Sequence, residues 1–177
     1  DACNSTLAVN GGGGKYYCEM KCVSKTGGYY NPGVYSSVSS AYNSANPSVM
    51  IRSDGIIFNN GNSAQTSLGA ISDGDIIGIA YDGSGATHTV TFYKNGSAYG
   101  TTENVSNTYN YPLFFGNGSS SGNVTNTTQF NFGNGYFGTT AVSSAQNPSD
   151  GIGIFEYSVP SGFKALCTKS INAQEYN

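Results

Sequence analysis

Residues 72–100 constrain the fold more than any other stretch, because they alternate as two β-strands joined by a turn. The turn sequence at residues 82–85, Asp-Gly-Ser-Gly, tolerates the positive φ angles that a chain reversal needs. Asn-Gly at residues 95–96 then ends the second strand with a strong short-turn signal. The pattern predicts a β-hairpin at the centre of the fold, with its apolar faces buried. The predicted core residues of this hairpin are Ile77, Ile79, Val90 and Phe92.

Composition places this hairpin in an all-β protein. A chain of 177 residues is long enough for one domain with a sizeable core. Only 10% of the residues are charged, and Gly (25 residues), Tyr (14), Ser, Thr and Asn fill the deficit. This composition is typical of a many-turned extracellular or virion protein.

The net charge of −3 argues against a nucleic-acid partner, and no apolar run predicts membrane insertion. The sequence begins with Asp1, which favours a processed chain or a fragment of a longer protein.

Further strand signals lie on both sides of the hairpin. Residues 14–23 alternate, with Tyr16, Cys18, Met20 and Cys22 on one face. Residues 48–58 read as strand, turn and strand, and short strands are predicted around 33–35, 113–116 and 129–133. Residues 26–42 are predicted to be a Gly- and Tyr-rich region around the short strand at 33–35. Residues 99–111 are predicted to be a polar loop or an irregular edge, and residues 116–128 a long polar loop.

Four motifs in this order resemble the SPRY domain, the β-sandwich recognition module also found inside B30.2 domains. They are GKYYCEM at residues 14–20, GDIIGIAYD followed by VTFYKNG at 74–96, YPLFFG at 111–116, and NFG at 131–133 followed by Phe137. The chain departs from most members in having no Trp, and Cys18 stands where the family usually has an aromatic residue. The run PSGFKALCT at residues 160–168 is similar to SPRY-like modules in structural proteins of tailed phages and other viruses.

The resemblance implies an all-β fold, a two-sheet antiparallel β-sandwich of the concanavalin-like kind with long polar loops. It divides the chain into an N-terminal edge strand and turn at residues 1–14, the sandwich at 15–168, and a C-terminal tail or linker at 169–177.

The four cysteines leave two alternatives open. Cys18 and Cys22 are predicted to lie on one strand face roughly 13 Å apart, too far for a disulfide with each other. A bridge would therefore join either of them to Cys3, Cys167 or another chain. The alternative is that they are buried free thiols that act as small apolar residues. No cysteine or histidine spacing predicts a metal site, and no cofactor is expected.

No catalytic constellation is visible, so an enzyme is not expected. His88 is the only histidine, and it is predicted to face solvent or pair across the hairpin without a catalytic role. Asp73 and Asp75 fit a turn in which Asp side chains accept hydrogen bonds from local backbone amides.

Recognition is the predicted function, since loops on a rigid sandwich are where binding residues are placed. Tyrosine offers large contact area at low entropic cost and a hydroxyl for hydrogen bonding. The predicted partners are other virion structural proteins or a host-surface glycan or protein, in a homo-oligomer at a virion surface or outside the cell. Two alternatives are a purely architectural assembly subunit and a secreted lectin-like carbohydrate-active protein. The resemblance places the ligand face at loops along one sandwich edge, and the candidate ligand-binding residues are Tyr29, Tyr30, Tyr42, Tyr99 and Tyr109.

Asparagine sequons add candidate glycosylation sites, if the host glycosylates secreted proteins. The sequon at Asn95 is explained by turn geometry alone. The other candidates are Asn4, Asn104, Asn117, Asn123 and Asn126.

Overall fold

The computed structural model describes residues 3–9, 13–36, 48–105, 113–118 and 125–170. These residues form strands and turns with almost no helix. The strands in chain order are β1 (Cys3–Val9), β2 (Lys15–Thr26), β3 (Pro32–Tyr35), β4 (Ser48–Arg52), β5 (Ile56–Asn59), β6 (Asn62–Gln65), β7 (Ile76–Asp82), β8 (His88–Lys94), β9 (Ser97–Ala98), β10 (Glu103–Val105), β11 (Leu113–Asn117), β12 (Thr125–Asn131), β13 (Tyr136–Phe137), β14 (Thr140–Ala141) and β15 (Lys164–Ala165).

Two antiparallel sheets make up the sandwich, which confirms the predicted fold class. The first sheet has the strand order β1-β11-β3-β4-β5-β6. The second has the order β10-β8-β7-β2-β12, with β9 beside β8 and β15 paired in parallel to β2. A separate two-stranded ribbon is formed by β13 and β14. Within the described ranges, no helix is long or apolar enough to span a bilayer.

The main core lies between the two sheets and contains side chains from both. Every second residue of the predicted strand at residues 14–23 points into it, as the alternation required. The four predicted core residues of the central hairpin are all 0% exposed, which confirms that part of the prediction. The first sheet contributes residues such as Val34, Ile51 and Phe115, and the second contributes Met20, Ile77, Ile79, Val90 and Phe92.

The outer face of the second sheet is also covered. Tyr17 and Ala80 on this face pack against Phe155 and Ala165 of the C-terminal segment. The rings of Tyr17 and Phe155 meet edge to face, with 5.1 Å between their centroids. Residues 131–167 therefore form a third layer, which explains why β7 is buried along both faces.

Strand ends differ from the predictions in two places. We expected a loop to continue to residue 128, but β12 begins at Thr125 and pairs with the end of β2 at Thr26. The sequence TNTTQ lacks apolar alternation because β12 lies at the edge of its sheet, where several of its side chains face solvent. Residues 99–111 were predicted to be a loop or irregular edge, and β10 is the short edge strand within them.

All four cysteines are free thiols in the structure. Cys18 and Cys22 are buried in the main core, whereas Cys3 is exposed and Cys167 is partly exposed. Burial, and then the charge of Asp75, raises the pKa of the Cys22 thiol to about 12. Both core thiols therefore act as small apolar side chains.

Candidate binding cleft

An open cleft of about 580 Å³ lies at one end of the sandwich, where three loops meet. The loops follow β2, join β4 to β5, and join β6 to β7. Ser53 and Ile71, both nearly fully buried, form the floor. The rim is formed by Lys25, Tyr29, Asp54, Ala70, Ser72 and Asp73. We call this feature the binding cleft.

Main-chain hydrogen bonds fix the three loops to one another. The amide of Ser53 donates to the carbonyl of Tyr30 at 2.9 Å, and the amide of Ile71 donates to the carbonyl of Ser53 at 2.8 Å. The hydroxyl of Ser53 also accepts from the amide of Tyr30 at 3.2 Å. Ser53 thus joins the first loop to the third, and the cleft is preformed rather than assembled by a ligand.

Glycine is required where the second loop meets the third. Gly55 has a φ of +90°, and a Cβ atom there would come within 2.5 Å of the carbonyl oxygen of Gly69. Only a residue without a side chain permits both this conformation and this approach. The turn sequence Ser-Asp-Gly at residues 53–55 therefore positions Asp54 at the rim.

Two of the predicted ligand-binding tyrosines are buried supports of the cleft, which corrects that prediction. Tyr30 is 0% exposed and Tyr99 is 6% exposed, so neither presents its ring to a ligand. The hydroxyl of Tyr30 donates to Asp73 at 2.7 Å, and the hydroxyl of Tyr99 donates to the carbonyl of Gly69. Each buried ring needs a partner for its hydroxyl, and in both cases that partner lies in the third loop.

Tyr29 is the predicted residue that reaches the surface of the cleft, with 36% of its side chain exposed. The guanidinium of Arg52 lies 4.7 Å from the centroid of its ring and 5.0 Å from that of Phe58. Asp54 holds the edge of the same guanidinium, with distances of 2.8 Å to Nε and 2.7 Å to a terminal nitrogen. Arg52 therefore joins two aromatic rings and one carboxylate in a rigid cluster.

The opposite rim carries Lys25 and Asp73. The ammonium of Lys25 lies 5.3 Å from the centroid of the Tyr30 ring and donates to the hydroxyl of Ser53 at 3.2 Å. Burial, followed by the hydrogen bond to the Asp73 carboxylate, raises the pKa of the Tyr30 hydroxyl. The hydroxyl therefore stays protonated at neutral pH and keeps its proton directed at Asp73.

The turn role predicted for the acidic pair holds for one member only. The carboxylate of Asp75 accepts from the amide of Ser72 at 2.8 Å, as a turn Asp does. Asp73 instead bonds Tyr30, a residue 43 positions away. Arg52, Lys25, Asp54 and Asp73 were not among the predicted ligand-binding residues. The Ser-Asp-Gly turn at residues 53–55 is a sequence signal for Asp54, whereas Lys25 and Asp73 reach the cleft through contacts with residues distant in sequence. Tyr42 and Tyr109 lie outside the described residues.

His88 is buried rather than solvent-facing, so only the cross-strand part of its prediction holds. Its Nδ1 atom lies 2.9 Å from the hydroxyl of Tyr81 on the neighbouring strand. Burial, followed by the charge of Asp82, raises the pKa of Tyr81 to about 12. In the described part of the chain, no three His, Cys, Asp or Glu side chains cluster in a way that would hold a metal ion.

The sequons differ in accessibility. Asn117 is 2% exposed, and its side-chain oxygen accepts from the amide of Asn31 at 2.8 Å, so glycan attachment there is incompatible with the fold. The side-chain nitrogen of Asn4 is buried without a hydrogen-bond partner, and that of Asn126 donates to the carbonyl of Tyr29 at 3.1 Å. Asn104 is exposed on β10 and stays a candidate, and Asn123 lies outside the described residues.

A second groove of about 300 Å³ lies between β1 and the C-terminal segment. Leu7, Phe132 and Leu166 line it together with the partly exposed Cys167. Of the seven lining residues that the structure describes, three are aliphatic or aromatic, three are Ser or Thr and one is Cys, so the groove lacks the converging charged groups of the binding cleft. The binding cleft is therefore the stronger candidate site.

Comparison with known proteins agrees with this architecture. The family model of the SPRY domain matches residues 16–135. The crystal structure of the SPRY domain of human HERC1 superposes with a TM-score of 0.57 at 18% sequence identity, covering 73% of this chain and 80% of that one. No curated protein sequence matches the chain. The chain therefore belongs to the SPRY family, whose members are in general non-enzymatic protein–protein interaction modules.

Proposed function

We propose that this SPRY domain is a recognition and display module of a virion structural protein, such as a phage fibre, tail or capsid decoration. Its partner is a host-surface glycan or protein or a neighbouring structural protein, bound in a homo-oligomeric assembly. The virion setting is supported by the charge-poor, Tyr- and Gly-rich composition and by the similarity of the C-terminal run to phage structural modules.

The binding cleft is the observation that carries the recognition role. It is open, its three loops are hydrogen-bonded to one another, and its exposed Tyr29 is held by Arg52. A rigid aromatic side chain at the mouth of a preformed cleft loses little entropy on binding, which is what a contact residue requires. Both rim carboxylates are held in position by partners, Arg52 for Asp54 and Tyr30 for Asp73, so the polar rim is as well ordered as the exposed ring.

A mutational comparison of two exposed tyrosines tests this role. Tyr29 and Tyr136 are similarly exposed, at 36% and 47%, but Tyr136 lies on β13, outside the cleft lining. We expect Tyr29→Ala to abolish capture of glycans or purified virion proteins by the immobilised chain, and Tyr136→Ala to preserve it. Equal loss in both variants, or no capture by the wild type, would contradict the cleft assignment. The purely architectural alternative predicts that the wild type captures no external ligand such as a glycan.

The virion setting has a separate test. Antibodies raised against the chain should label purified viral particles in immunogold electron microscopy, at one repeated position on each particle. Label confined to the medium or to cells, with none on particles, would contradict this setting and would leave a secreted recognition protein.

A further inference from the structure

We propose that the binding cleft takes a neutral, hydroxyl-rich ligand, namely a glycan chain without acidic sugars, which packs on Tyr29 and donates hydroxyl hydrogens to Asp73. This inference rests on the proposed function, because it names the ligand class of the same cleft. It follows from the charges of the cleft, from its hydrogen-bonding groups and from the one exposed ring among its described lining residues.

The charges of the described cleft lining and of Arg52 beside it are balanced, with Lys25 and Arg52 positive and Asp54 and Asp73 negative. Arg52 is paired with Asp54 at 2.7 Å, and the ammonium of Lys25 lies over the ring of Tyr30. Just beyond the rim, Lys94 is paired with Asp75 at 3.1 Å. An ionic ligand would meet no strong field of one sign, and an anion at Arg52 would have to compete with Asp54. The cleft therefore favours a ligand without net charge.

The hydrogen-bonding groups suit hydroxyls. An ionised carboxylate accepts at about four lone-pair positions, and Tyr30 occupies one position on Asp73. The remaining positions need donors, and the exposed hydroxyl of Ser72 beside them both donates and accepts. Ligand hydroxyl groups act in both ways, so neighbouring hydroxyls of a sugar ring satisfy Asp73 and Ser72 together. An ester or a hydrocarbon would leave these acceptors without donors.

The ring of Tyr29 supplies the apolar contact. A pyranose has a face of C–H groups bounded by an equatorial rim of hydroxyls, and the face of an aromatic ring carries the negative end of its quadrupole. The C–H face of the sugar therefore packs on the ring while its hydroxyls reach the polar rim. Arg52 holds Tyr29 in place, so little side-chain freedom is lost on binding.

A peptide fits the same cleft less well. Seven of the eight lining residues that the structure describes lie in loops, and the eighth, Lys25, lies near the end of β2, which is already paired to β12. An added peptide strand needs an open sheet edge, which this lining does not provide. A proline-rich peptide needs several aromatic side chains, whereas Tyr29 is the one aromatic residue of the described lining.

The test is an array of neutral, sialylated and sulfated oligosaccharides probed with the intact chain, followed by calorimetry on the strongest ligand. We expect binding to neutral glycans with an affinity that changes little between low and high salt, because no ion pair forms. Asp73→Asn should weaken binding roughly tenfold or more, as expected for one charge-assisted hydrogen bond. Tyr29→Phe should bind like the wild type and Tyr29→Ala should not bind, which keeps the test informative if the Asp73 variant folds poorly.

The other outcomes separate this inference from the proposed function. Selective binding of sialylated or sulfated glycans with a steep salt dependence would overturn the neutral-ligand inference and keep the recognition role. The same conclusion would follow if the chain binds no glycan but captures a purified virion protein, and if Tyr29→Ala abolishes that capture. If neither a glycan nor a virion protein binds the chain, both the neutral-ligand inference and the recognition role are overturned.

Discussion

The carboxylate of Glu19, buried within the second sheet, accepts a hydrogen bond of 2.9 Å from the main-chain amide of Tyr157, 138 residues further along the chain. Its other oxygen accepts from the amide of Glu156, also at 2.9 Å. The side chain of Asn131 bonds both Glu19 and the carbonyl of Ile154. One buried acid therefore fastens the C-terminal layer to the sandwich.

Glu19→Gln should destabilise the fold although Gln has nearly the same side-chain shape as Glu. Two main-chain amides donate to the two carboxylate oxygens. In the variant, the NH₂ group of Gln replaces one of these oxygens, and the amide that faces it loses its acceptor. We expect a loss of about 1–3 kcal/mol in the free energy of unfolding, measured by urea titration. Asp150→Asn is the control, because this exposed carboxylate accepts one amide and its loss should cost less than about 0.5 kcal/mol. Equal stability of the Glu19→Gln variant and the wild type would contradict this role.

Stability should depend on pH in two opposite senses. Burial raises the pKa of Glu19, and the amide hydrogen bonds oppose this only in part. Its contribution is therefore present below the pKa of the unfolded state and is lost as pH rises through the folded pKa. Burial also works against the charges of Asp75 and Asp82, but their hydrogen bonds and the nearby Lys94 and Lys15 outweigh it and lower both pKa values. Their contributions are lost as pH falls through those folded values.

The measurement is the urea midpoint at a series of pH values. From neutral pH down to about 4.3, the ordinary value for Glu, protonation of Glu19 should favour the folded state. Below about 3.9, the ordinary value for Asp, stability should fall as Asp75 and Asp82 lose their charges. Glu19→Gln should remove the first effect and keep the second. A variant with the same profile as the wild type would show that Glu19 is not the group responsible.

Much of the fold could be predicted because alternation and turn chemistry are local. Ile77 and Ile79 lie two residues apart, so their common face follows from strand geometry alone. The two-residue turn at Asn95 and Gly96 follows from their tolerance of positive φ, with observed values of 50° and 80°. The third layer was not predicted, although the second face of β7 carries Ile76, Gly78 and Ala80 and therefore lacks the polar residues of a solvent-facing strand.

The cleft was harder to predict because its contacts join distant parts of the chain. Two adjacent tyrosines look alike in sequence, yet Tyr29 is exposed and Tyr30 is buried. The difference arises from Asp73, which lies 43 residues from Tyr30 and accepts the hydrogen bond of its hydroxyl. Tyr99 is buried for the same kind of reason, since it bonds Gly69 across 30 residues. Composition indicates that the chain is rich in tyrosine but does not indicate which tyrosines are buried in the core and which are exposed for binding.

Gly33→Ala should be strongly destabilising although its φ angle is ordinary. An added Cβ would lie 2.3 Å from the carbonyl oxygen of Val49 and 2.7 Å from the Cα of Met50 on the neighbouring strand. Neither backbone atom can move without separating β3 from β4, so we expect a loss of at least about 1–3 kcal/mol. Gly13→Ala is the matched control, since a Cβ there meets nothing within 4 Å. Urea titration should show little change or a small gain for the control. Similar losses in both variants would contradict the close approach at Gly33.

Thiol accessibility should divide the four cysteines into two pairs. Cys3 is exposed and Cys167 is partly exposed, so both should react with a chromogenic disulfide reagent in the folded protein. Cys18 and Cys22 are 0% exposed, and burial raises the pKa of each thiol, so few thiolates form and no reagent reaches them. We expect two thiols per chain to react in native buffer and four in denaturant without reductant. Replacement of Cys3 by Ser should lower each count by one. Fewer than four reactive thiols in denaturant would contradict the free-thiol state and would show that a disulfide had formed.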